Sequence, residues 1–421
     1  MAVSHLAHLE PPPAKPVRRP AEPARIRNVP GRSTGRAGTS RPVGCRSAPL
    51  EAPFLVGRTT VFKKTWAIAA AAGLALTLAA CGGNSSTASS SSVTSDGTSK
   101  ASSSAAASGS SGSSGAAPAS GELPPIDPTV LDGAVIGFAQ VGSESGWRSA
   151  NTDDIKRAAE ANKVDLQFTS AEGDQAKQIA SIKTYITQGV DVIAFSPVVE
   201  TGWDSVLQEA KAADIPVILT DRAVDSDPSL YKTFIGSDFV AEGEKAANWA
   251  KKEFADASSV NVVVLEGTTG SAPANDRATG WKNVLGSDTK FKTLASQTGD
   301  FTRDGGKKVM EGFLAANPDI QLVYAHNDDM ALGAIEAIEA AGKVPGKDIK
   351  IVSIDGVKAG MEALAAGKIN YIVECSPLLG NQLFQAASAV LKGDTIPTRI
   401  VTVESEFDQA QAQAALPDRQ Y

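Results

Sequence analysis

Ile215-Pro216-Val217-Ile218-Leu219-Thr220-Asp221-Arg222 is the stretch on which the fold turns. An aliphatic run too short for a helix stops on a carboxylate and a guanidinium. Such a run reads as a strand buried on both faces, the hallmark of a parallel sheet. The pattern recurs in both directions. Val135–Val141 runs into Gly142-Ser143-Glu144, Val190–Phe195 into Ser196-Pro197, and Val260–Leu265 toward Gly267-Thr268. Gln321–Ala325 runs into His326-Asn327-Asp328-Asp329, and Ile349–Ile354 into Asp355-Gly356. Between these runs lie helical patterns such as Ala150–Ala161, Gln175–Gln188, Ser205–Ala213, Ala241–Phe254 and Met330–Ala341. Strand and helix in alternation predict an α/β fold with parallel sheets covered on both sides. In open α/β sheets a ligand binds beyond the carboxyl ends of the strands, where these polar clusters fall. The spacing suggests two similar βα halves that meet near Ser237-Asp238.

Composition narrows the function. Of 421 residues, the first 60 carry ten Lys and Arg, three acids and ten prolines, with no apolar periodicity. Such a stretch cannot bury a core. From residue 81 onward there are 28 basic and 44 acidic residues, a balance of −16. A chain this acidic lacks the positive footprint of a nucleic-acid binder. His326 is the one histidine after residue 8, and Cys375 the one cysteine after residue 81. This disfavours histidine-rich metal sites, Ser–His catalysis and a disulfide framework. There is no GxGxxG after the first strand and no Walker loop.

Residues 61–81 read as an address. Lys63 and Lys64 precede an uncharged Ala- and Leu-rich stretch that ends in Leu78-Ala79-Ala80-Cys81. A positive start, a short apolar segment and small residues describe a signal peptide, and the segment is shorter than the ~20 residues of a membrane span. The Leu-Ala-Ala-Cys box resembles a bacterial lipobox, which implies acylation of Cys81 and anchoring to the outer face of the cell membrane. Translation is then expected to begin near Val61, with residues 1–60 untranslated or a disordered extension. Residues 82–131 read as a tether: residues 85–120 hold 17 serines, and a flexible coil of that length spans roughly 33 Å.

The order and spacing of several motifs carry a resemblance over the whole stretch from Val135 to the C-terminus. They are residues 141–148 (Val-Gly-Ser-Glu-Ser-Gly-Trp-Arg), 197–203 (Pro-Val-Val-Glu-Thr-Gly-Trp), Asp221-Arg222, 296–303 (Ser-Gln-Thr-Gly-Asp-Phe-Thr-Arg), 324–330 (Tyr-Ala-His-Asn-Asp-Asp-Met) and 353–357 (Ser-Ile-Asp-Gly-Val). The chain resembles the class I periplasmic sugar-binding proteins, relatives of ribose-binding protein, and among them the galactofuranose-binding proteins of bacterial ABC transporters. The resemblance implies two Rossmann-like lobes joined by a three-strand hinge, lobe one at 132–238 plus 376–404 and lobe two at 239–375 plus 405–421. It implies a monosaccharide held in the cleft, hinge closure around it, delivery to an ABC permease and its ATPase, a monomer, and neither enzyme activity, metal nor cofactor.

A sugar presents hydroxyls that donate and accept, and C–H faces that pack on aromatic rings. Asp221 and Arg222 offer paired charge-assisted bonds. Trp147 suits stacking and Arg148 adds donors, with Glu144 and Ser143 in the same turn. The resemblance adds Arg277, just before an expected helix at Ala278–Leu285, together with Asn327, Asp355 and Phe301, the last equally at home in a core. Glu374 or Cys375 falls at the hinge, and Glu374 is favoured because a thiol bonds weakly. Trp203 reads as structural or ligand-facing with equal weight, and His326 as structural. The turn around Glu144, Trp147 and Arg148 departs from the ribose-binder pattern, which points away from ribose. Two other functions fit the same residues: a surface receptor that feeds a chemoreceptor or kinase, and capture of a non-sugar solute.

Overall fold

A computed structural model describes residues 122–421. The expected extension, signal peptide, Cys81 and most of the tether lie outside the described residues. Two six-stranded sheets form the frame. The first contains β1 (Val135–Gln140), β2 (Asp165–Ser170), β3 (Val192–Phe195), β4 (Val217–Thr220), β5 (Thr233–Gly236) and β11 (Arg399–Val401), in the order β11-β5-β4-β3-β1-β2. All its pairings are parallel. The second contains β6 (Val260–Glu266), β7 (Phe291–Thr298), β8 (Leu322–Ala325), β9 (Lys350–Asp355), β10 (Tyr371–Glu374) and β12 (Glu406–Phe407), in the order β12-β10-β9-β8-β6-β7. It is parallel except where β12 runs against β10.

Helices α1 (Pro128–Leu131), α2 (Gly146–Ala161), α3 (Gln175–Gln188), α4 (Asp204–Ala212) and α10 (Gly380–Lys392) belong to the first lobe. Helices α5 (Phe239–Glu253), α6 (Ala272–Leu285), α7 (Arg303–Ala316), α8 (Asp328–Ala340), α9 (Lys358–Ala365) and α11 (Gln409–Ala415) belong to the second. Each sheet is packed on both faces: Phe138, Ile218 and Phe384 fill one side of lobe one, and Phe195, Trp203 and Leu207 the other. In lobe two, Met310, Met330 and Ile351 fill one side, and Trp281, Tyr324 and Val352 the other. That two-sided burial is why the strands read as unbroken apolar runs.

The tether ends earlier than residue 131. Leu123 and Leu131 are buried in the core that holds Phe138, and the Asp127 amide donates to Ser388 Oγ at 2.9 Å. Two spaced leucines among prolines carry no periodicity, so the sequence does not disclose this packing. Helix α6 also starts six residues before the expected Ala278, on Ser271 and Pro273, with proline inside the first turn, where its missing N–H costs nothing. Arg277 therefore sits inside a helix and not ahead of one.

The chain passes between the lobes three times: after β5 through Ser237, after β10 through Cys375 and Ser376, and after β11 through Thr402 and Glu404. One carboxylate oxygen gathers all three. Glu404 Oε1 accepts from Ser237 Oγ, from the Ser376 amide at 3.0 Å and from Thr402 Oγ1 at 2.8 Å.

Candidate functional site

The polar residues that follow the strands have two duties. Ser145, Asp238, Thr302 and Asn327 cap α2, α5, α7 and α8, each side chain accepting a backbone N–H of the first turn. The same loops bring side chains of both lobes around one cleft. It bounds about 290 Å³, its open mouth included. Its walls are Glu144, Ser145, Trp147, Arg148, Asp221 and Arg222 from lobe one, Pro273, Arg277, Phe301, Asn327 and Asp355 from lobe two, and Cys375 at the hinge.

On the lobe-one side, Arg148 is the organiser. Its Nη2 lies 2.6 Å from Asp221 Oδ2, its Nε donates to Glu144 Oε1 at 3.0 Å, and its Nη1 reaches Gln140 and Ser196. Ser196 Oγ also donates to Asp221 Oδ2 at 2.9 Å. Arg222 donates to the Val198 carbonyl at 3.1 Å and lies 3.4 Å from Glu144 Oε1. Burial alone would raise the Glu144 carboxyl, but Arg148 and Arg222 outweigh it and hold it below the usual carboxylate range. Burial, with Arg148 alongside, brings Arg222 down to about 10.

On the lobe-two side, Arg277 donates to Glu242 Oε2 at 2.7 Å and to the His326 carbonyl at 2.5 Å, and its Nη2 faces Asp355 Oδ1 at 3.8 Å. Burial raises Asp355 well above the ordinary range, despite Arg277. Burial likewise pushes Glu242 up to about 8. Asn327 caps α8 through Oδ1 and donates to the Phe301 carbonyl at 3.0 Å, so it serves as cap and wall together. His326 is structural as expected: fully buried, tilted against Tyr324, and kept neutral by burial, its pKa near 3.

Two rings face the cavity. Trp147 packs into the core of the opposite lobe, and its Nε1 donates to the Cys375 carbonyl at 2.7 Å. Phe301 lies within 5.3 Å of Arg222 and 5.9 Å of Arg277, measured from guanidinium to ring centre. Three wall residues, Asp221, Phe301 and Asp355, hold positive φ angles of 61°, 60° and 127°. Left-handed backbone is unusual for these side chains, and such strain gathers at functional sites.

Nine of the eleven side chains picked from sequence converge here; Ser143 is not part of the wall, and Glu374 points elsewhere. Its carboxylate turns to the C-terminal tail, accepting from Arg419 Nη1 at 2.6 Å, Tyr421 OH at 2.8 Å and the Ser405 amide at 2.9 Å. Cys375 lines the cleft instead, because one step along an extended chain reverses the side chain. Trp203 is a core residue, fully buried against Phe195 at 5.0 Å. The sequence reading missed Ser145 and Pro273 in the wall and the supporting residues Gln140, Ser196 and Glu242. Ser196 had a signal, since it follows a strand in the same way as Asp221.

Residues 136–395 match the periplasmic binding protein domain. The chain belongs to the periplasmic binding protein family. It is 43% identical over 274 residues to the galactofuranose-binding protein YtfQ of Escherichia coli (strain K12), covering 64% of this chain and 86% of that protein. Among solved structures it is similar to a Mycobacterium smegmatis protein in complex with β-D-fucofuranose, at 61% identity and a TM-score of 0.67, covering 68% of this chain and 95% of that one. It is also similar to the periplasmic binding protein of the arabinose ABC transporter of Shewanella sp. ANA-3, bound to α- and β-L-arabinofuranose. There the identity is 45% and the TM-score 0.66, over 68% of this chain and 96% of that one.

Proposed function

We propose that this protein captures a neutral monosaccharide in its furanose ring form and delivers it to an ABC importer. One observation carries the reading: Glu144 Oε2, Arg222 Nε and Asp355 Oδ2 line a single cleft, all buried and without a hydrogen-bond partner in the protein. They supply acceptors and a donor from both lobes. Leaving such groups unpaired is costly, so a ligand that matches them is selected over one lacking a hydroxyl. The wall sets Arg148, Arg222 and Arg277 among Glu144, Asp221 and Asp355, donors and acceptors of both kinds that suit an uncharged polyol. Trp147 and Phe301 offer faces to the C–H groups of a small ring. The M. smegmatis and Shewanella proteins were both solved with furanoses, which supports that ring form here.

In this reading Asp221, Glu144 and Asp355 take sugar hydroxyls, Arg222 and Arg277 donate, and Arg148 positions the two lobe-one carboxylates. The lobes close on the ligand by a hinge movement. A lipid on Cys81 and a serine-rich tether hold the receptor at the outer face of the cell membrane, within reach of a permease and its ATPase. Galactofuranose is the leading ligand. Isothermal titration of the purified chain against D-galactose, L-arabinose, D-fructose, D-ribose and a galactofuranoside tests the proposal. One-to-one binding of at least one sugar is expected, with ribose the weakest. Silence across the panel would remove the sugar reading and leave the family assignment standing.

A further inference from the structure

The two lobes touch outside the cleft as well as through it. On one rim, the amide of Gly146, first residue of α2 in lobe one, donates to Asp329 Oδ2 of α8 in lobe two at 2.8 Å. That N–H is one of the orphan donors of a sixteen-residue helix, at the positive end of its dipole. A carboxylate from the opposite lobe satisfies it. On the other rim, the Glu200 amide of lobe one donates to the Gly270 carbonyl of lobe two at 2.9 Å, and Asn275 Nδ2 of α6 donates to Glu200 Oε2. The Glu200 carbonyl accepts from the Asp225 amide at 3.0 Å, which holds that loop on its own lobe. Asp329, Glu200 and Asn275 are absent from the cleft wall.

We infer that Asp329 and the Glu200–Asn275 pair form a two-sided clasp that holds the lobes closed and sets the lifetime of the bound state without touching the ligand. This rests on the proposed capture of a sugar by closure. A contact made only in the closed form shifts the open–closed equilibrium by its own free energy, and apparent affinity follows that population. The shift is the same for every ligand, because the ligand takes no part in it. The clasp therefore scales all affinities together, whereas a wall residue such as Asp221 changes their ratios. The effect falls on dissociation, since the bonds form after encounter.

The test compares wild type with Asp329→Ala, Asn275→Ala and the double variant, each as the full chain, for binding of L-arabinose, D-galactose and D-fructose. Titration gives Kd and stopped-flow tryptophan fluorescence gives the dissociation rate. Each single variant is expected to weaken every bound sugar by about tenfold, carried by faster release, with ratios among sugars kept within about twofold of wild type. Asp329→Asn keeps an acceptor oxygen and should recover part of the loss. Unchanged release rates, or a ratio that shifts from sugar to sugar, would overturn the clasp. If wild type binds none of the sugars, the function proposed above fails, and small-angle scattering decides the clasp alone. A larger radius of gyration in the double variant supports it, and an equal one rejects it. Melting curves check that each variant folds; if an alanine variant does not, Asp329→Asn and Asn275→Asp carry the comparison.

Discussion

Asp221 shows how much one side chain can be asked to do. It takes Arg148 and Ser196 and stands 3.8 Å from Arg222 Nε, at a left-handed backbone position. Removing one partner of a buried ion pair leaves the other uncompensated, at a cost of about 3–5 kcal/mol. Asp221→Ala is expected to abolish sugar binding and to lower the melting temperature as well. Asp221→Asn keeps the shape and should stay folded while binding at least about tenfold more weakly. Titration and thermal melts read both; an Asn variant with wild-type affinity would remove Asp221 from the site. Glu374→Gln is the contrasting case. It loosens the hold on Arg419 and Tyr421, so the melting temperature falls while sugar affinity stays within about twofold. A large loss of affinity there would restore Glu374 to the site. The sequence could not separate Glu374 from Cys375, because the choice depends on which face of a strand end meets the cleft, and a shift of one residue reverses it.

Among the elements, the central strands β1, β3, β4, β6, β8 and β9 were legible, whereas the short inner strands β5 and β10 and the edges were not. Strands β3, β4 and β8 are buried at every residue, so their apolar runs stand out. Edge strands β2 and β7 have largely exposed or half-exposed residues, such as Lys292 and Thr293, and carry no such signal. The strand-end clusters were readable because capping and ligand chemistry draw on the same residue types. What held Phe301 in the cleft was not readable, since it lies in another element. Its ring occupies the space beside Gly267 after β6, where a Cβ would fall 1.9 Å from the ring. Gly267→Ala must push Phe301 aside, an overpacking of about 1–3 kcal/mol. The variant is expected to fold and to bind sugar more weakly, with Phe301→Ala adding little further loss. Fully additive losses in a double-mutant cycle would show that the two act separately.

At the scale of the whole molecule, stability should fall as pH rises from 6.5 to about 8. Burial raises Glu242 from 4.5 to about 8, so the folded chain binds a proton there that the unfolded chain has lost. That contribution is complete below about 4.5 and disappears as pH passes 8. His326 works in the opposite sense, its pKa lowered from 6.5 to about 3, but its effect is confined below 6.5. Urea unfolding at pH 6.5 and 8 checks the sign, and greater stability at the higher pH would contradict it. Beyond the described residues, Cys81→Ser is expected to release the protein from the membrane fraction into the medium, which blotting of the two fractions would read. The meeting of three crossings at Glu404 bears on the motion itself. Three separate tethers would let one lobe twist, slide or tip against the other. Fastened to a common acceptor, they share one point about which the proposed closure would turn. On the proposed transport role, a permease would then have one variable to read, the angle between the lobes, as the sign that the cleft is full.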